Sequence, residues 1–150
     1  MVAKSAIPEG YHSVTPYLVV TGADKVIEFM QKAFGATVNF RLDGPDGKIG
    51  HAEMQVGDSR IMLGEAKKEW KPMPSGIYLY VKDSDAVYKK ALEAGAESVM
   101  EVADQFYGDR HGGVRDPAGN LWWISTRVED VPDDEMKRRA EEWMKKNKCE

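Results

Sequence analysis

Ile77-Tyr78-Leu79-Tyr80-Val81, running into Asp83-Ser84-Asp85, repeats in outline a pattern met about sixty residues earlier. There Val14-Thr15-Pro16-Tyr17-Leu18-Val19-Val20 runs into Gly22-Ala23-Asp24. Both runs alternate with the two-residue period of a half-buried strand. Each is followed by a stretch of helical period: Val26, Phe29, Met30, Ala33 and Phe34 in the first, and more weakly Val87, Ala91 and Ala94 in the second. Asp24, and Asp83 or Asp85, stand where a carboxylate caps free helix amides; Gly35 and Gly95 stand where a helix ends in a left-handed residue.

Strands split by turns follow each helix. Thr37–Leu42 leads to Asp43-Gly44-Pro45-Asp46-Gly47, and Ile49–Val56 turns at Gly57-Asp58 into Arg60–Leu63. The second half gives Ser98–Val102, a stretch around Tyr107–Val114, and Leu121–Thr126 after Asp116-Pro117-Ala118-Gly119-Asn120. The order is βαβββ twice, an α+β domain over residues 1–130 with modules at about 11–66 and 75–127. Residues 131–150 form a C-terminal helix and tail: acidic Asp133, Asp134 and Glu135 begin it, Lys145, Lys146 and Lys148 end it, and Met136, Ala140, Trp143 and Met144 make its apolar stripe. That stripe is expected to pack over a sheet edge or a partner subunit.

The chain has 150 residues, 42% hydrophobic and 31% charged, with net charge −4, a balance that suits one globular domain and opposes a nucleic-acid surface. No apolar run approaches the ~20 residues of a membrane span. No apolar h-region follows Met1–Ser5, and Val2 stands where a myristoyl chain needs glycine, so the expected location is the cytoplasm. The one cysteine, Cys149, has no disulfide partner in its own chain.

Two βαβββ repeats, the second closing on Asp116-Pro117-Ala118-Gly119-Asn120-Leu121-Trp122, resemble the vicinal oxygen chelate superfamily of glyoxalases, dioxygenases and drug-sequestering resistance proteins. Val14-Thr15-Pro16-Tyr17-Leu18 and Asp104-Gln105-Phe106-Tyr107-Gly108-Asp109-Arg110 are similar to its PhnB-like branch. The resemblance implies that the modules curl into a curved mixed sheet around a central cleft, and that the protein is a homodimer. It also implies a divalent metal in enzymatic members, held by strand residues so that open positions remain for substrate oxygens. Its ligand positions fall here on Thr15, Glu53, Gly76 and Trp123, of which Glu53 alone is an ordinary ligand. The expected cofactor is therefore none; the alternative is a divalent metal on His51 and Glu53, two residues apart on one strand face.

Alternation assigns faces independently. Val14, Pro16, Leu18 and Val20 should face the helices, as should Ala52, Met54 and Val56, and Ile77, Leu79 and Val81. Thr15, Tyr17, Val19, His51, Glu53, Gln55, Tyr78 and Tyr80 then line the cleft, with Leu121, Trp123 and Ser125 on the last strand. Trp122 points at the helices. The candidate ligand-binding set is Thr15, Tyr17, His51, Glu53, Tyr78, Tyr80, Gln105, Tyr107 and Trp123. Aromatic walls with a few polar groups suit a small planar or hydrophobic ligand, although the same alternation suits plain sheet packing. His12 and His111 read as loop or surface histidines, and Asp109 with Arg110 as a turn-holding pair. The expected protein is a non-metal small-molecule binder; the alternative is a metal-dependent lyase, isomerase or dioxygenase.

Overall fold

The computed structural model describes residues 1–148, and Cys149 lies outside them. The element order is β1 (Tyr17–Val20), α1 (Ala23–Phe34), β2 (Thr37–Asp43), β3 (Ile49–Val56), β4 (Ser59–Glu65), β5 (Gly76–Tyr80), α2 (Ser84–Glu93), β6 (Glu97–Asp104), β7 (Asp109–Arg115), β8 (Leu121–Arg127) and α3 (Asp133–Lys146). The strands form two mixed four-stranded sheets, ordered β1-β4-β3-β2 and β5-β8-β7-β6. In each, the first strand pairs parallel with the last of its module and the rest run antiparallel. This is the expected α+β architecture of twin βαβββ modules with a C-terminal helix.

One face of each sheet is buried under its module's helix. Leu18, Val20, Ala52, Met54 and Leu63 meet Val26, Phe29, Met30 and Ala33, all fully buried. In the second module Val114, Trp122 and Ile124 are buried in the same core, which extends to Ala91 and Val87 of α2. The modules join through this helix side: the Phe34 ring lies 4.7 Å from that of Trp122. Among the described residues no hydrogen bond links residues 17–65 to residues 76–127, so apolar contact holds the halves together.

Two local expectations need correction. The first strand starts at Tyr17, three residues later than the alternating run; Val14 is 85% exposed, and of the residues before Tyr17, Pro16 joins β4 only through its carbonyl, which accepts from the Met62 amide. Proline has no amide to donate and restricts the residue before it, so the ladder does not continue beyond it. Asp24 does not cap α1. Gly22 occupies the N-cap at φ 81°, a conformation that glycine adopts without strain, and has no side chain to cap with. Glu65, at the end of β4, accepts from the amides of Gly22 (2.9 Å) and Ala23 (2.8 Å) instead. In α2 the expectation holds at Asp83, whose Oδ1 accepts from Ala86 N at 3.1 Å. Asp85 turns outward to Arg110.

The α3 helix is only lightly seated. Arg139 pairs with Glu129 at 2.7 Å and donates to the Phe106 carbonyl, and Trp143 packs on Phe106. No residue of α3 is buried, and Trp143 and Met144 remain about half exposed.

The adjacent tryptophans of β8 separate core from face. Trp122→Ala should cost about 3–5 kcal/mol, the range for a buried large aromatic, because Trp122 is wholly buried. Trp123→Ala should cost markedly less, since its side is partly solvated. Urea unfolding of the two variants checks the order; a larger loss for Trp123→Ala would invert the face assignment of β8.

Candidate functional site

The face of the first sheet opposite α1 carries Tyr17, Phe40, His51, Glu53 and Met62, aligned by the cross-strand register Tyr17↔Met62↔Glu53↔Phe40. Tyr17 stacks on His51 with ring centroids 5.7 Å apart, and its hydroxyl lies 3.1 Å from Nδ1. His51 Nε2 lies 3.3 Å from Glu53 Oε1. The nearby Tyr11 hydroxyl and His51 hold the Glu53 carboxyl below the usual carboxylate range. Burial pushes the Tyr17 phenol up.

At one end of this face lies a cavity of about 400 Å³ lined by Tyr17, Val19, Gly50, Gly64, Glu65, Lys67, Trp70 and Met73. The linker between modules makes its outer wall: Lys67 and Trp70 close a tight turn by mutual backbone bonds, and Met73 donates to the Val19 carbonyl. Its floor is backbone. A Cβ at Gly64 would stand 2.7 Å from the Gly50 carbonyl oxygen and 3.0 Å from the Tyr17 hydroxyl, so only glycine allows this close packing of the floor. Glu65 is the wall's carboxylate, with both oxygens already taken by the α1 amides.

The corresponding face of the second sheet is built round a buried carboxylate. Asp109, 2% exposed, accepts at Oδ2 from Tyr78 (2.8 Å) and Tyr80 (2.9 Å), and Arg127 Nε lies 3.3 Å from Oδ1. Tyr78 also reaches the buried Ser125 hydroxyl, and its ring stacks with Trp123. Burial, with the nearby Asp109 carboxylate adding to it, pushes the Tyr78 and Tyr80 phenols up. His111 is no loop histidine: it sits on β7, 4% exposed, with Nε2 bonded to the Tyr107 hydroxyl. Burial pushes its imidazole down, toward the neutral form.

The nine expected site residues thus fall into groups. Tyr17, His51 and Glu53 form one cluster; Tyr78, Tyr80, Tyr107 and Trp123 form another. Thr15 sits between them, in a groove of about 190 Å³ that it lines with His12, Val14, Arg60, Ile77 and Tyr78. Gln105 belongs to the β6–β7 turn, where its amide donates to the Asp109 carbonyl. Asp109 and Arg110 do not pair with each other. Arg110 binds Asp85 of α2 at 2.7 Å and Asp104 at 3.2 Å, tying the helix to the turn, while Asp109 points into the face. The sequence placed Asp109 and His111 in a strand stretch around Tyr107–Val114, but no alternation assigned their faces, because Asp104–Arg110 carries turn signals and Gly112-Gly113 supply no apolar pattern. Trp70 and Met73 lie in a linker with no periodicity at all.

A divalent metal does not fit the positions that the sequence resemblance suggested. At Gly76 a Cβ would stand 3.0 Å from Trp123 Cζ3, so the indole occupies the space of a ligand side chain. Among the described residues no group of three or more His, Cys, Asp and Glu side chains forms round His51 and Glu53.

A family model, the Glyoxalase/Bleomycin resistance protein/Dioxygenase superfamily, matches residues 10–124. An uncharacterized protein of Mycobacterium bovis is 38% identical over 135 residues, covering 83% of this chain and 89% of that protein. The crystal structure of TioX from Micromonospora sp. ML1 superposes with a TM-score of 0.67 at 23% identity, over 78% of this chain and 99% of TioX. A PhnB protein from Bacillus cereus superposes at 0.59 with 16% identity, over 77% of this chain and 99% of that one. These two likenesses concern the fold.

Both clusters can be tested through stability. Asp109→Ala leaves two tyrosine donors and a guanidinium without their acceptor and should cost about 2–3 kcal/mol, as for bonds to a buried charge, read by urea unfolding. Glu53 has a lowered folded value, so its contribution is present at neutral pH. That contribution should be lost as pH falls from the ordinary carboxylate value, about 4.3, through the lower folded one. Melting temperatures taken at acid pH should therefore fall less steeply in Glu53→Gln than in the parent protein.

Proposed function

We propose a ligand-binding role for this chain, which belongs to the Glyoxalase/Bleomycin resistance protein/Dioxygenase superfamily. Its ligand is a small aromatic or hydrophobic molecule, bound without a metal on the helix-free face of the sheets. The observation that carries this reading is the cavity under the inter-module linker. Tyr17, Val19, Trp70 and Met73 wall it, and the Gly50–Gly64 backbone floors it. Its volume, about 400 Å³, falls in the range of small-molecule sites. A flat ring entering it gains contact with indole and phenol faces and displaces water from apolar surface.

The working unit is a homodimer. The sheet faces away from the helices carry large apolar side chains in the open: Phe40 is 50% exposed, Leu42 58% and Tyr80 57%. Neighbouring exposed apolar side chains such as Phe40 and Leu42 on one strand face are normally covered by another protein surface. The four outer strands also leave open edges that a second copy can blunt.

Trp70 is 60% exposed at the cavity wall, so its loss should leave the fold unchanged. In a panel of planar aromatic compounds, a binder should quench tryptophan fluorescence and raise the melting temperature. Trp70→Ala should weaken that binder at least tenfold. A panel without any quenching or thermal shift would overturn the binding reading. Light scattering should return about twice the 16.8 kDa of one chain; a single-chain mass at micromolar concentration would remove the dimer.

A further inference from the structure

We propose that Tyr17, His51 and Glu53 form a proton relay that makes the cavity a metal-free proton-transfer site for a small enolisable carbonyl compound bearing an aromatic or apolar group. The inference rests on the ligand-binding reading above and adds a reaction to it.

The direction of the relay follows from which atoms own protons. Glu53 as a carboxylate can only accept, so His51 Nε2, 3.3 Å away, carries the hydrogen between them. A neutral imidazole then has a bare Nδ1, and the Tyr17 hydroxyl 3.1 Å from it must be the donor. The chain of bonds runs Tyr17 O–H to Nδ1, and Nε2–H to Glu53. This is the order in which a hydroxyl, an imidazole and a carboxylate cooperate in acid–base catalysis.

Tyr17 and Gly64 both line the cavity, and the Tyr17 hydroxyl lies only 3.0 Å from where a Gly64 Cβ would stand, so the oxygen packs close against that part of the lining. The Trp70, Met73 and Val19 wall suits the apolar part of the substrate, and Lys67 supplies a cation in the same wall. Glu65 does not compete for that cation's partner with a free carboxylate, since both its oxygens accept backbone amides.

In the step, a proton leaves the carbon beside the carbonyl for the Tyr17 oxygen as the Tyr17 proton passes to His51 Nδ1. The electron pair of the broken C–H bond stays on the substrate as an enolate, whose negative oxygen faces Lys67. The imidazolium formed on His51 is stabilised by Glu53. Reversal returns a proton to carbon or to oxygen, so the net reaction is tautomerisation and needs no oxidant, reductant or second substrate. Tyr17 is the catalytic residue; His51 takes its proton, and Glu53 is a positioning residue.

Phenylpyruvate is a suitable probe, because it is planar in its enol form, aromatic and exchangeable at C3. Deuterium uptake at C3 in D₂O, followed by NMR with EDTA present, should be accelerated by the protein beyond buffer alone. Tyr17→Phe and His51→Gln should each slow it at least 100-fold while fluorescence titration shows phenylpyruvate binding within threefold of the parent. Glu53→Gln should lower kcat about tenfold with KM unchanged, and Glu53→Asp should recover part of the loss. Undiminished exchange in Tyr17→Phe, or loss of exchange on adding EDTA, would overturn the relay. Binding without exchange in the parent protein would also overturn it and leave the ligand-binding reading standing. Absence of both binding and exchange would remove both.

Discussion

A four-stranded sheet has two faces, and one helix covers only one of them. Each module of this chain obeys that constraint. Leu18, Val20, Ala52 and Met54 disappear under α1, and Val114, Trp122 and Ile124 join the same core on the α2 side. The opposite faces must be stabilised otherwise, and the two modules do it differently. The first keeps exposed rings round a histidine–glutamate pair and leaves a cavity at one end. The second buries a carboxylate, one oxygen of which accepts from two tyrosine hydroxyls while Arg127 stands 3.3 Å from the other. A buried charge is tolerable only when hydrogen-bonded or paired, and the Asp109 network meets that condition.

The near-symmetry of the halves therefore stops at the backbone. Tyr17 and Tyr78 begin on equivalent strands, each parallel to the last strand of its module. The Tyr17 hydroxyl meets an imidazole and belongs to a residue that lines the cavity, whereas Tyr78 meets Asp109 and Ser125 and is occupied. The first module holds the exchangeable proton next to room for a ligand; the second holds its protons in a closed network. Structural weight and chemical opportunity are thus divided between two copies of one unit.

Long-range bonds also couple places that look separate along the chain. Glu65 ends β4, caps α1 and lines the cavity, so the start of the first helix and the cavity wall share one carboxylate. Arg110 joins α2 to the β6–β7 turn, and Arg139 of α3 reaches the carbonyl next to Tyr107. The second face is held from both ends by arginines that take no part in it.

What the sequence determined by itself was whatever depends on period and on local turn chemistry. The helices over Val26–Phe34 and Val87–Ala91, the turn at Gly57-Asp58, and the opposite facing of Trp122 and Trp123 all follow from spacing, because neighbours in the chain impose them. His51 and Glu53 on one strand face were legible for the same reason, since residues two apart share a side of a strand. Only the tertiary structure decided contacts between residues distant in sequence. Glu65 replaced Asp24 as the cap because the chain places β4 against the start of α1. His111 and Asp109 became interior because the β6–β7 hairpin lies in the sheet, with tyrosines from β5 above the carboxylate. The linker carrying Trp70 and Met73 became a cavity wall because Met73 bridges to Val19. Periodicity carries no information about such encounters; they are set by how the packed sheets bring separate segments together.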